Sequence, residues 1–86
     1  MDINELNAII KKKICDKVSV EKITIEDKTF LHKNHKSHQA DKFHIKITLK
    51  SKELSKISKI ESTKKIYEIL NDEIKNNIHS LQILFN

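Results

Sequence analysis

The segment FHIKITLK, residues 43–50, decides the fold of this chain of 86 residues. Apolar side chains occupy every second position and polar side chains lie between them, which predicts a β-strand with one buried face. No other stretch of the sequence gives so strong a strand signal. The alternation places His44 on the solvent-facing side of the strand, so we expect it to be a surface residue.

Upstream of this strand, the sequence predicts a helix and then another strand. Asp2 and Glu5 have the spacing of a capping box. Apolar residues then recur at helical intervals as far as a predicted helix end near Asp16, namely Ile3, Leu6, Ile9, Ile10 and Ile14. Cys15 lies at the edge of this apolar stripe, so we expect a buried or half-buried thiol with no chemistry of its own. In residues 18–25 apolar and polar residues alternate, but the pair Val18 and Val20 is out of phase with the pair Ile23 and Ile25. A late strand start or a bulge would reconcile the two pairs.

Downstream, a short helical turn precedes a longer amphipathic helix. Ser58 and Glu61 repeat the capping-box spacing at the start of that helix. Its predicted apolar face comprises Ile60, Thr63, Ile66, Tyr67, Ile69, Leu70 and Ile74. Asn76 and Asn77 stand where a glycine would normally end the helix, and asparagine tolerates the left-handed backbone of such an ending.

The last segment, residues 78–85, alternates again and predicts a third strand. Leu81, Ile83 and Phe85 share one face, and His79 begins that face at the end nearest the helix. The element order is therefore α-β-β-α-α-β. A chain of this length forms a single domain, residues 1–86, with room for two layers. We expect an α+β domain in which the helices pack on one face of a three-stranded sheet.

Composition restricts the classes of function. The net charge is +5 with a pI of about 9.4, but the 17 basic residues are spread and only Lys11, Lys12 and Lys13 form a run. Scattered cations predict weak rather than specific nucleic-acid binding. One cysteine excludes an intrachain disulfide framework and fits a reducing compartment. No segment has the character of a signal peptide or a membrane span, so we predict a cytoplasmic protein.

The polar segment DKTFLHKNHKSHQAD, residues 27–41, contains His32, His35 and His38 between two strands. Neutral imidazole is a common metal ligand, and a connection of this length is often functional. A closed structural zinc site usually takes four ligands, most of them thiolates, so the segment alone is either an open site or an exposed loop with incidental histidines. His79 supplies a second imidazole far along the chain. The absence of glycine, of a cysteine paired with histidine and of paired carboxylates argues against an enzyme.

Three pieces of the chain together resemble the BolA-like family: DKTFLHKNH at 27–35, FHIKITLKSKEL at 43–54, and SKIESTKKIYEILNDEI followed by IHSLQI from 58 to 83. The family pattern has an acidic-x-Ser opening, a loop with His or Cys, a strand beginning at Phe and a final strand opening His-Ala-Leu. This chain has Asp27 with Thr29, His32, Phe43 and the sequence His79-Ser80-Leu81 at the corresponding positions.

The resemblance implies a fold related to class II KH domains and a partnership with a monothiol glutaredoxin in iron–sulfur cluster handling. In such complexes the BolA-like chain lends a loop His or Cys and a C-terminal His to a bridging [2Fe-2S] cluster, while glutaredoxin cysteine and glutathione supply sulfur. The implied metal ligands here are His32 and His79, with His35 as the alternate loop ligand and His38 incidental. The chain alone would be a monomer or a weak homodimer.

The sequence departs from the family pattern at the start of the long helix. Ser62-Thr63-Lys64 replaces the usual Arg-His-Arg, which weakens an implied role as a DNA-binding transcriptional regulator, and no GXXG loop is present to clamp nucleic acid. That regulator is the alternative function. A third hypothesis is a His-rich domain that buffers zinc without a partner.

Overall fold

The computed structural model describes residues 2–29 and 42–86. The elements in these ranges are α1 (Ile3–Lys17), β1 (Lys22–Asp27), β2 (Phe43–Lys50), a 3-10 turn (Leu54–Lys56), α2 (Lys59–Ile69), α3 (Asn71–Asn76) and β3 (Ile78–Phe85). The strands form one mixed sheet in the order β1-β2-β3, with β1 antiparallel and β3 parallel to the central strand. The predicted α+β class and its three-stranded sheet are confirmed.

The core lies between one face of the sheet and the helices. Ile45, Ile47 and Leu49 project from that face of β2, and the helices and connections supply the other buried side chains, namely Leu6, Ile10, Ile14, Val18, Leu54, Ile66, Leu70 and Ile78. Full burial of a Leu or Ile side chain stabilises the folded state by roughly 1.5–3 kcal/mol. Because this one cluster joins the helices to one face of the sheet, the predicted arrangement in two layers is confirmed. In the part of the chain that the structure describes, no helix has the length and apolar character needed to cross a bilayer.

Both predicted helix starts are confirmed by their N-caps. The Asp2 carboxylate accepts a hydrogen bond from the Glu5 backbone N–H at 2.8 Å, and the Ser58 hydroxyl accepts one from the Glu61 N–H at 3.1 Å. Such a bond satisfies one of the backbone donors that a helix leaves open in its first turn. The late strand start is also confirmed, because β1 begins at Lys22.

The long helix predicted from Ser58 onward is interrupted at Leu70, which ends α2 with φ −99° and ψ 17° before α3 begins. The face of α2 that meets the sheet is also rotated from the predicted one. Ser62 is buried and its hydroxyl donates to the Leu54 carbonyl at 3.1 Å, whereas Ile60 is 70% exposed and Tyr67 is 42% exposed. Ile60 and Tyr67 were predicted on the buried face, and that prediction was wrong. Ser62 points into the core instead, because its hydroxyl finds an acceptor in the 3-10 turn.

Two local predictions near the helix ends were also wrong. The residue that follows α3, Asn77, has φ −131°, and no residue within 2–29 or 42–86 has a positive φ. The helix therefore ends without a left-handed asparagine. Cys15 is exposed. The buried positions of α1 are spaced by four residues and end at Ile14, so the next residue points about 100° away from the core.

Candidate metal centre

The β2–β3 pair is irregular where β3 begins. Phe43 pairs with Ile78 and His44 pairs with Ser80, so β3 advances by two residues while β2 advances by one. His79 is the extra residue of a β-bulge, a feature that redirects a side chain and interrupts the ladder. The sequence predicted His79 at the start of the Leu81 face, and this prediction was wrong. The extra residue puts Ile78 on the core side with Leu81, and leaves His79 exposed beside His44.

The bulge brings two imidazoles together. The ring centroids of His44 and His79 are 4.8 Å apart, and their planes are tilted by 54°. His44 is only 8% exposed, so the prediction of a surface residue was wrong. Nδ1 of its ring lies 2.6 Å from the Ser80 hydroxyl, and the two neighbours on β3 therefore cover a side chain that strand alternation assigns to solvent.

The backbone of His44 is fastened to the end of β1. The Asp27 carboxylate accepts a hydrogen bond from the Thr29 N–H at 2.9 Å, and the Thr29 hydroxyl accepts one from the His44 N–H at 3.0 Å. The Lys28 N–H donates to the His44 carbonyl at 2.7 Å. The acidic-x-hydroxyl motif at Asp27 and Thr29 thus fixes the strand position from which the His44 imidazole projects.

The segment between β1 and β2 is bounded by residues at this same end of the sheet. Thr29 contacts the backbone of His44, and Lys42 immediately precedes Phe43, whose N–H donates to the Asn77 carbonyl at 2.9 Å. His32, His35 and His38 lie outside the described residues. Across residues 2–29 and 42–86 there is no group of three or more His, Cys, Asp or Glu side chains able to hold a metal ion.

The contact between His44 and His79 was not predicted from the sequence, although one sequence signal pointed towards the bulge. Ile78 is buried and Leu81 is half-buried on the core side, yet they are three residues apart. A regular strand places residues on one face at even spacing only. The odd spacing of these apolar residues therefore indicates an extra residue between them. It also indicates an altered environment for the side chain opposite the bulge, which is His44.

The described residues bring two imidazoles together, fewer than the four ligands that a closed metal site usually takes. His79 is exposed at the edge of the sheet, where another molecule can approach it. The remaining donors would come from elsewhere.

The helix position at which the family pattern has Arg-His-Arg does not present a continuous polar surface. Ser62 is 2% exposed and bonded to the Leu54 carbonyl, Thr63 is half-buried, and only Lys64 of the three is fully exposed. An arginine at the first of these positions would have to displace core contacts. The structure therefore offers one exposed cation where the family pattern suggests a cationic cluster.

Comparison with solved structures identifies the class of fold. The BolA domain of SufE1 from Arabidopsis thaliana matches with a TM-score of 0.78 at 21% identity, covering 100% of this chain and 93% of that one. BolA1 from Arabidopsis thaliana also gives a TM-score of 0.78 at 21% identity, over 92% of this chain and 87% of that chain. A Bol-like protein from Babesia bovis matches with a TM-score of 0.70 at 9% identity, over 91% and 79%. The architecture is that of a BolA domain.

Sequence comparison identifies the family. The profile described as BolA-like protein matches residues 14–85, and the chain belongs to this family. A relative from Haemophilus influenzae (strain ATCC 51907 / DSM 11121 / KW20 / Rd) is 27% identical over 78 residues, which is 91% of this chain and 73% of the relative. That relative is named as the DNA-binding transcriptional regulator BolA. The family resemblance predicted from residues 27–83 is confirmed.

Proposed function

We propose that this protein is a non-enzymatic partner of a monothiol glutaredoxin, with which it shares a bridging [2Fe-2S] cluster in cluster assembly, trafficking or iron regulation. The observation that carries the proposal is the exposed, bulged His79 lying 4.8 Å from the His44 ring. His79 supplies the C-terminal nitrogen ligand. A cluster with nitrogen ligands on one iron and thiolates on the other has an asymmetric ligand set and a raised reduction potential.

The loop ligand of this proposal is His32, with His35 in reserve. His32 follows Thr29 by three positions in the chain, so their Cα atoms are at most about 11 Å apart. Thr29 is hydrogen-bonded to His44, and the His44 ring contacts that of His79. The covalent connection is thus short enough for a loop imidazole and His79 to serve the same iron.

Within the complex this chain would position nitrogen donors while its partner supplies sulfur. His79 needs no rearrangement of the sheet to be reached, because it is exposed and β3 is an edge strand. The bulge frees this residue from the regular ladder without displacing the pairs that follow it, His44 with Ser80 and Ile45 with Leu81.

The test is reconstitution of the purified chain with a monothiol glutaredoxin, iron, sulfide and glutathione. The mixed complex should have visible absorption and circular dichroism spectra that differ from those of the glutaredoxin homodimer. His79→Ala should remove the difference, and His32→Ala and His35→Ala should separate the two loop candidates.

Gln82→Ala is the matched control, since Gln82 is also exposed on β3 but lies beyond the bulge. Its spectra should equal those of the unmodified complex. If His79→Ala also leaves the spectra unchanged, His79 is not a ligand. Tight zinc binding by the chain alone would instead support the zinc-buffering hypothesis.

A second candidate, the DNA-binding regulator, is supported by the name of the Haemophilus influenzae relative and by the net charge of +5. It requires saturable, sequence-dependent binding at physiological salt. Binding that disappears with a modest rise in salt would reflect scattered lysine charge alone. Lys64→Ala and Lys75→Ala remove the same charge, from α2 and α3 respectively. A larger loss of DNA affinity in Lys64→Ala would show a specific contribution from α2, and equal losses would show an effect of net charge.

A further inference from the structure

We infer that Ser80 is a positioning residue of the candidate centre, acting by holding the His44 ring against the His79 imidazole. The hydroxyl of Ser80 lies 2.6 Å from Nδ1 of His44, and the two residues are direct partners in the β2–β3 register. The effect of Ser80 on a bound cluster rests on the proposed function, whereas its effect on the His44 ring does not.

The hydrogen bond determines which way the His44 imidazole is turned. A serine hydroxyl both donates and accepts, so it pairs with Nδ1 in either tautomer. The partner of one ring nitrogen sets the orientation of the ring and biases the position of the proton between the two nitrogens. Ser80 thereby restrains the plane of a ring that is 8% exposed and sets the environment of its Nδ1 atom.

The same bond determines the surroundings of His79. Ser80 follows His79 directly in the chain and hydrogen-bonds the His44 ring, whose centroid lies 4.8 Å from that of the His79 ring. If Ser80 lost its hydroxyl, the His44 ring would lose the hydrogen bond to Nδ1 that restrains its plane. The His79 imidazole would then have a less defined neighbour and would sample more orientations before ligation.

Ser80 itself is suited to this role because it contributes little to the core. It is exposed, and the family pattern described above has alanine at this position. Substitutions at exposed positions usually change stability by less than about 0.5 kcal/mol. A Ser80→Ala chain should therefore fold normally, and Ser80→Thr should keep both the hydroxyl and the strand preference.

The first measurement uses the protein alone. Long-range proton–nitrogen NMR spectra at one fixed pH report the tautomer of His44 and of His79. Ser80→Ala should shift the ring nitrogens of His44 and broaden or shift those of His79, Ser80→Thr should restore them, and Gln82→Ala should leave them unchanged. Unaltered His44 ring nitrogens in Ser80→Ala would overturn the inference.

The second measurement uses the reconstituted complex with glutaredoxin and follows the loss of the cluster to a chelator. Residues bonded directly to a metal ligand typically contribute tenfold or more to affinity. Ser80 acts on His79 through His44, so Ser80→Ala should shorten cluster lifetime by a smaller factor, up to about tenfold, and Ser80→Thr should restore it. An altered His44 tautomer with an unaltered cluster lifetime would also overturn the role. If the unmodified chain forms no mixed complex, the proposed function fails. The NMR result then still shows whether Ser80 positions the His44 ring.

Discussion

The two ends of the β2–β3 pair differ in what determines their structure. At the regular end, Ile47 pairs with Ile83 and Leu49 with Phe85, and the Asn86 N–H continues the ladder to the Leu49 carbonyl at 2.9 Å. At the bulged end, an extra residue interrupts the ladder and imidazole and hydroxyl side chains meet. Both ends belong to the same two strands. The regular end keeps the one-to-one pairing of residues that core burial requires, and the bulged end departs from that pairing.

The regular end is also where α2 begins. A cavity of about 220 Å³ lies there, lined by Leu49, Leu54, Ile57, Phe85 and neighbouring serines. The bulged end instead meets Asp27 and Thr29, whose hydrogen bonds hold the backbone of His44. The regular end therefore contains the fully buried Leu49, whereas the bulged end presents the exposed His79, which predicts that substitutions at the two ends affect different properties.

The largest expected effect belongs to the regular part of the pair. Ile47 is fully buried, so Ile47→Ala should lower the free energy of unfolding by about 3 kcal/mol through lost burial and the cavity that remains. Urea denaturation followed by circular dichroism measures this loss. Leu84→Ala is the control, since Leu84 is 41% exposed and its truncation should cost much less. Equal losses for the two variants would contradict the assignment of the buried face.

A smaller effect is expected at the start of α2. Ser58→Ala removes the hydroxyl that accepts the Glu61 N–H, and should lower the free energy of unfolding by about 1 kcal/mol. Ser58→Asp should restore most of it, because aspartate is an equally good N-cap. Thermal denaturation of the three proteins tests this order, and a Ser58→Asp chain as unstable as Ser58→Ala would show that the cap is not the cause.

A weaker, pH-dependent effect is expected at Glu53. The Ser19 N–H at 3.0 Å, and then the Lys65 ammonium at 3.2 Å, lower the pKa of this carboxyl below its ordinary value of about 4.5. Its contribution to stability is therefore present above that ordinary value and is lost as the pH falls through the lowered pKa. Because the group is exposed to solvent and salt, the change should be small.

Glu53→Gln tests this contribution. The variant should unfold at lower urea concentration than the unmodified chain at neutral pH, and the difference should shrink as the pH is lowered below about 4. Glu68→Gln, on the exposed side of α2, controls for the change in net charge. A difference between Glu53→Gln and the unmodified chain that is constant across this range would exclude the lowered pKa as its cause.

The smallest expected change in stability belongs to the bulged end. His79→Ala should alter the free energy of unfolding by no more than about 0.5 kcal/mol, because the side chain is exposed and its backbone stands outside the regular register. The same variant should have the largest effect on the spectra of the glutaredoxin complex. A loss of stability comparable to that of Ile47→Ala would mean that His79 serves the fold and not a ligand site.

Sequence reasoning succeeded where local pattern determines structure. Strands 43–50 and 78–85 have the predicted bounds, and the caps at Asp2 and Ser58 form as expected, because alternation and capping depend on neighbours in the chain. It failed for Ile60 and Tyr67, since the rotation of α2 depends on Ser62 reaching a carbonyl eight residues earlier in the chain. Family resemblance singled out His79 as a ligand, which stays a prediction, and no local pattern could show that Ser80 and His44 would meet across two strands.

The absence of positive φ angles within residues 2–29 and 42–86 has a consequence for substitutions in this chain. Where no position demands a left-handed backbone, no described turn depends on glycine, and the sequence contains none. At the described turns, a residue can therefore be exchanged for any residue except proline without backbone strain, provided that side-chain burial and hydrogen bonds are preserved.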